Sequence, residues 1–195
     1  MLHRDLSINN LMCDKRPTGY MGILSDWDLA SMIDDRNAVI ASNAKHRTGT
    51  VPFMSIHLLK ASPPHKYCHD LESFFYILVW AAVHFDLQKK QCSPPLPDFQ
   101  EWNHSNLVKA AGPKLSFLLY PTELSSFVSD DFRPLFETWI MALQELFLQV
   151  YTLNNVKRPN DVASWSEIIL DRLEKSVTFE TFMSAIGRKP RYIHT

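Results

Sequence analysis

An aspartate and an asparagine five positions apart, Asp5 and Asn10 in His3-Arg4-Asp5-Leu6-Ser7-Ile8-Asn9-Asn10, put two oxygen chemistries on one short stretch of chain. A carboxylate accepts the proton of an attacking hydroxyl, and a neutral amide oxygen holds a hard cation such as Mg²⁺. Phosphoryl transfer needs both. A second carboxylate follows in Ser25-Asp26-Trp27-Asp28-Leu29-Ala30, where Asp26 would be a further cation ligand and Trp27 an apolar anchor beside it. Each piece alone is weak, since an Asp near a strand end is more often a turn cap. Their order and spacing give them weight.

These residues need an element that gathers them. Ile8 to Met12 and Tyr20 to Leu24 are apolar stretches around Asp14-Lys15-Arg16-Pro17-Thr18-Gly19, whose Pro and Gly mark a reversal. This predicts a short β-ribbon that brings Asp5, Asn10 and Asp26 to one end. Residues 31–66 are mostly polar and read as a long functional loop, with Val51-Pro52-Phe53-Met54 as apolar anchors. A helix over about 70–85 follows. Leu71, Phe74, Phe75, Leu78, Val79 and Ala82 fall at helical spacing, while Tyr76, Ile77, Trp80 and Val83 make its other side apolar. Such a helix belongs at the centre of a domain. Asp70 reads as its cap or dipole partner.

Ser93-Pro94-Pro95-Leu96-Pro97 breaks the chain, and residues 98–134 read as short helices and loops. A wide apolar stripe runs from Leu135 to Val150 and ends near Asn154-Asn155, with Arg158-Pro159 as a break. Ser164-Trp165-Ser166-Glu167 has the spacing of a capping box, and Phe179 to Ile186 gives a last helix stopped by Gly187. Trp80, Trp139 and Trp165 read as core packing. The fold class is mainly α, of the α+β kind, with a minor β-ribbon at the front.

Composition narrows the partners. Of 195 residues 46% are hydrophobic and 21% charged, an ordinary globular balance. Twenty basic residues against 21 acidic ones give a net charge of −1, so there is no electrostatic reason to expect nucleic acid or an anionic membrane. Cys13, Cys68 and Cys92 form no disulfide framework, which together with the charged N-terminus predicts an intracellular protein, cytoplasmic or nuclear, rather than a secreted one. His65-Lys66-Tyr67-Cys68-His69 with Cys92 contains metal-ligating types, but no C-x-x-C pair completes a zinc set.

Taken together, His3 to Asn10 fits H-R-D-L-x-x-x-N without a mismatch, and Asp26-Trp27-Asp28 stands in the place of D-F-G. With Arg47-Thr48-Gly49-Thr50-Val51-Pro52-Phe53-Met54-Ser55 and Asp70-Leu71-Glu72-Ser73-Phe74-Phe75, the chain resembles the C-terminal lobe of a eukaryotic protein kinase, specifically of the fungal-type protein kinase family. Specific motifs carry the resemblance to about residue 85, and a helical pattern carries it to about 175, with a C-terminal helix and tail over 176–195. The resemblance implies ATP-dependent phosphoryl transfer to Ser/Thr hydroxyls. Asp5 would accept or position the hydroxyl, with Asn10 and Asp26 as Mg²⁺ and ATP ligands. Arg4 would contact the activation segment, roughly Asp26 to His57, and Thr50 would line the wall receiving the substrate hydroxyl. His3 and Asp70 would support the catalytic loop. Ser42, Thr48 and Thr50 are candidate phosphoacceptors, an unmodified loop being the plainer reading.

Departures from the pattern set the expectations for activity. Ser7 stands where common Ser/Thr kinases have Lys, Asp28 where D-F-G has Gly, and Ser55-Ile56-His57 where A-P-E is usual, so the acidic partner for a late arginine such as Arg158 is missing. No two of Gly19, Gly22, Gly49, Gly112 and Gly187 make a phosphate-cradling cluster, and no V-A-I-K lysine appears. The chain is therefore expected to be a C-lobe without its N-lobe, with weak or absent Mg-ATP binding. A missing N-lobe or another chain would cover its bare cleft face. A pseudokinase-like interaction module is the alternative. A small-molecule phosphotransferase ranks last, because that family usually lacks the Gly49-Thr50 signature.

Overall fold

The structure is a computed structural model that describes residues 1–17, 19–34, 39–41, 49–152 and 161–189. After a 3₁₀ turn at Ile8–Asn10, β1 (Leu11–Arg16) and β2 (Gly19–Leu24) form the antiparallel ribbon that the turn chemistry predicts, in register from Leu11↔Leu24 to Arg16↔Gly19. Only its root is anchored. Leu11 and Leu24 share one face and pack on the core, as the two-residue period of a strand requires.

Two short strands, β3 (Met32–Ile33) and β4 (Val39–Ala41), pair beyond Asp26. Leu2 and Ser31 exchange both backbone hydrogen bonds, at 2.9 and 3.0 Å, and tie the N-terminus to this stretch. The described residues between 31 and 66 are thus less irregular than the sequence suggests. Val51–Phe53 is a 3₁₀ turn and Ile56–Ala61 a helix, α1, capped by the Ser55 hydroxyl, which accepts from Leu58 N–H. The helix escapes a periodicity search because Ile56, His57, Leu58 and Leu59 are all buried, leaving no polar face.

The central helix, α2, spans Tyr67–His84 and starts earlier than expected. Asp70 does not cap it. Its first turn is closed by Lys66 N–H donating to His69 Nδ1 at 3.0 Å, and the Asp70 carboxylate is used elsewhere. Phe75 is fully buried and stacks on Phe117 and Phe147, with ring centroids 5.9 and 5.1 Å away. These rings join α2 to two later helices and form the middle of the core.

A minimal hairpin, β5 (Phe85–Asp86) with β6 (Gln91–Cys92), leads to α3 (Pro97–Glu101), α4 (Leu107–Leu119) and the short α5 (Thr122–Ser125). The stripe from Leu135 is one helical run with an irregular start: α6 (Arg133–Leu135), a π-helical turn at Phe136–Ile140, then α7 (Met141–Tyr151). Asn154, Asn155, Arg158 and Pro159 lie outside the described residues. The next helix, α8, spans Val162–Ser176 and is capped by Asp161, whose carboxylate accepts from Ser164 N–H, so Ser164 lies inside it and not at its cap.

The last helix, α9 (Phe179–Ala185), ends at Gly187, whose positive φ of 67° lets Arg188 N–H reach back to the Met183 carbonyl. Trp80 and Trp165 pack on the core as expected. Trp139 instead lies half-buried beneath the Arg188 guanidinium.

Candidate functional site

The site is assembled on the N-terminus of α2. Asp70, buried near the start of that helix, accepts from His3 N–H at 2.8 Å with Oδ2 and from Arg4 N–H at 3.2 Å with Oδ1. One carboxylate thereby fixes the two residues before Asp5. His65 Nε2 reaches the same Oδ1 at 2.8 Å, so three donors hold the Asp70 side chain in place. Arg4 sits at φ 73°, a backbone region that non-glycine residues seldom adopt and that these contacts maintain.

The His3 ring orders the other side. Asp5 N–H donates to Nδ1 at 3.4 Å, which leaves Nε2–H to donate to the Ser25 carbonyl at 2.8 Å, and the ring lies edge-on to Trp27 at 4.7 Å. Ser25 N–H in turn donates to the Asn10 carbonyl at 2.9 Å, which extends the ribbon ladder by one rung. Asn10 and Asp26 are therefore neighbours across the open end of the ribbon. Asp26 is exposed, at φ 60°, a second non-glycine residue in the left-handed region. Asn10 is buried and commits its amide N–H to the Asp5 carbonyl at 2.8 Å, so the amide oxygen is the atom it could offer a cation.

Thr50 comes from a distant part of the chain. Its hydroxyl donates to Asp5 Oδ1 at 2.8 Å, and its carbonyl accepts from Phe53 and Met54 N–H in the 3₁₀ turn that follows. Arg4 Nη1 donates to Ser31 Oγ at 2.8 Å, so the arginine reaches the segment after Asp26. Six of the seven residues singled out by the sequence (His3, Arg4, Asp5, Asn10, Thr50 and Asp70) are linked by hydrogen bonds, and Asp26 adjoins them as the chain neighbour of Ser25. Ser42, Thr48 and Lys45 to Arg47 lie outside the described residues. Among the described residues no three His, Cys, Asp or Glu side chains form a metal cage. An Mg²⁺ that keeps waters and phosphate oxygens needs only one or two protein carboxylates and no such cage, and the oxygen chemistry of Asp26 and Asn10 is of the type it takes.

Gly49 makes the approach of Thr50 possible. Its φ is 129°, and a Cβ there would lie 3.2 Å from Met54 Cε and 3.3 Å from the Arg4 carbonyl. Gly49→Ala is expected to cost about 1–3 kcal/mol, read as a lowered urea midpoint at unchanged slope. An unchanged midpoint would mean that the turn tolerates a side chain.

Behind the site lies a buried polar network that the sequence reading did not find. His57 is fully buried, with Nδ1 3.0 Å from His69 Nε2 and Nε2 2.9 Å from Ser166 Oγ. Since Lys66 N–H must donate to His69 Nδ1, the remaining protons are fixed: His69 Nε2–H donates to His57 Nδ1, and His57 Nε2–H donates to Ser166. Burial depresses the His57 pKa to about 4 despite the Ser166 bond, and pushes His69 well below the usual histidine range, helped by His65, His57 and Lys66 nearby.

Glu72 is fully buried on α2. Its Oε1 accepts from Ile56 N–H at 2.9 Å and Tyr76 OH at 2.9 Å, and its Oε2 accepts from Tyr151 OH at 2.6 Å. Burial raises its pKa against the pull of these bonds and of Lys114. The one available signal was positional: Glu72 and Lys114 stand in apolar surroundings on their helices, Lys114 between Ala110, Ala111, Phe117 and Leu118.

No curated protein and no solved structure matches the chain. Residues 1–82, the segment holding every site residue from His3 to Asp70, match the family described as fungal protein kinase, and over that segment the chain is similar to that family.

Proposed function

We propose that this is the catalytic centre of a Ser/Thr protein kinase, carried on a kinase-like C-lobe over residues 1–175. The observation that carries the reading is the Thr50 hydroxyl donating to Asp5 Oδ1 at 2.8 Å, beside Asn10 and Asp26 at the ribbon end. A substrate hydroxyl taking up a similar donor position would hand its proton to Asp5 as it attacks. Asn10 and Asp26 would hold Mg²⁺, which would offset charge on the phosphates of ATP. Asp70 contributes only by fixing the backbone before Asp5, and positioning is most of what this chemistry asks of a protein.

The test is a Mn²⁺ and Mg-ATP titration of the chain followed by NMR. Mn²⁺ is expected to broaden the Asn10 side-chain amide and the Ser25 amide, and Asp26→Ala to abolish this. Mg-ATP affinity is expected to be weak, because the sequence supplies no glycine cluster for the phosphates. Equal broadening in wild type and Asp26→Ala would overturn the cation assignment.

A second reading, an interaction module, is favoured by the ribbon surface. Met12, Met21 and Ile23 share one face of the ribbon and are 51, 38 and 38% exposed, and Trp27 beyond them is 41% exposed. An apolar surface of this kind marks an interface that a partner protein would cover. Concentration-dependent association with no cation response in the same samples would favour this reading over catalysis.

A further inference from the structure

The turn that presents Thr50 to Asp5 is gripped from behind by buried groups of the helices packed around it. Lys114 of α4 is fully buried, and its ammonium donates to the Met54 carbonyl at 2.5 Å and the Val51 carbonyl at 3.3 Å. The ring of Tyr76 lies 4.2 Å from Nζ and that of Trp102 5.5 Å. Glu72 holds Ile56 N–H, and the Tyr151 oxygen accepts from His57 N–H at 3.2 Å. Four backbone groups between Val51 and His57, the Val51 and Met54 carbonyls and the Ile56 and His57 N–H, are thus paired by side chains of α4, α2 and α7. An unpaired carbonyl buried here would cost more than the bond itself is worth.

We propose that Lys114 is a positioning residue for the Asp5–Thr50 pair, holding the Val51–Met54 turn so that the Thr50 hydroxyl stays on Asp5. The link is covalent and short. Thr50 O accepts from Phe53 and Met54 N–H, and the Val51 and Met54 carbonyls of that same turn are the two that Lys114 binds. Lys114 touches no reacting atom and acts only through this backbone. Its importance for catalysis rests on the kinase reading of the site, whereas its hold on the turn does not.

The lysine's own chemistry gives the clamp a proton dependence. Burial lowers its pKa from 10.5 to about 7, with Glu72 pulling the other way. The titratable groups against it are Glu72 and Tyr76 of α2, with Tyr151 of α7 on the second Glu72 oxygen. Both tyrosine pKa values are raised well above the ordinary value, so neither phenol ionises near neutrality. A neutral amine keeps two N–H donors but loses the charge that strengthens both carbonyl bonds.

Amide hydrogen exchange of the full chain tests this without needing activity. In Lys114→Met, protection at Phe53 and Met54 is expected to fall at least tenfold, with α2 amides from Phe75 to Ala82 unchanged, and Lys114→Arg is expected to restore part of it. In wild type, protection at Phe53 and Met54, corrected for intrinsic rate, is expected to fall between pH 6 and 8.5 while that of α2 holds. Equal loss across α2 and the turn, or a turn as well protected in Lys114→Met as in wild type, would overturn the proposal. If Lys114→Met does not fold, Lys114→Gln reads the same contrast between the turn and α2. Failure of Mn²⁺ binding in the earlier titration would overturn the kinase reading and leave this result standing.

Discussion

Glu72→Ala is expected to lower the stability of the chain by about 3–5 kcal/mol, the range for breaking a buried ionic network by removing one partner. The side chain is fully buried and receives Ile56 N–H, Tyr76 OH and Tyr151 OH, and its charge favours the protonated form of Lys114. Alanine would strand three donors and leave the buried Lys114 without its anionic neighbour. Each stranded donor carries a desolvation penalty of about 1–3 kcal/mol, partly relieved if water enters the cavity. Glu72→Gln retains one carbonyl acceptor and is expected to lose less. Urea unfolding at pH 7 reads both, and a loss below about 1 kcal/mol for the alanine variant would show that the network does not hold α1 to α2.

The second large effect is acid lability at mild pH. His57, His69 and His84 each use one ring nitrogen as an acceptor: His57 Nδ1 for His69 Nε2–H, His69 Nδ1 for Lys66 N–H, and His84 Nε2 for Leu96 N–H. A proton on any of these atoms removes the bond. Burial lowers all three pKa values, His57 to about 4.

The unfolded chain takes up these protons near pH 6.5 and the folded chain only lower, so the stabilisation is fully present above 6.5 and is lost as pH falls toward 4. For His57 alone the loss between pH 7 and 5 is about 2 kcal/mol, and the other two add in the same direction. Glu72, with its raised pKa, opposes this over the range just above its ordinary value of 4.5. Urea midpoints at pH 7 and 5 measure the sum. An unchanged midpoint would mean that these rings titrate as exposed histidines do.

Both effects come from residues whose importance could not be read along the chain. The catalytic-type residues could, because their signal is local. His3 to Asn10 is one loop, Asp26 follows one ribbon, and the ribbon announces itself through Pro17 and Gly19. The α2 stripe was legible for the same reason, since Leu71, Phe75 and Val79 repeat at helical spacing.

Asp70 was half legible. Its place near a helix start was visible, but a carboxylate at such a place is ordinarily a cap, and only the fold shows it spent on His3 and Arg4, 67 and 66 positions away. The α1 helix and the Asp161 cap were missed where burial on all sides or an overlapping capping pattern erased the sequence signal.

The amino-acid sequence alone determined the order and spacing of Asp5, Asn10, Asp26 and Thr50, the ribbon, and the apolar central helix, because short-range sterics and hydrophobic period act on neighbouring residues. Only the tertiary structure decided that Glu72, Lys114, His57 and Tyr151 meet behind the Val51–His57 backbone. Charged side chains leave water only where distant elements supply their partners, and no local pattern records which elements those will be.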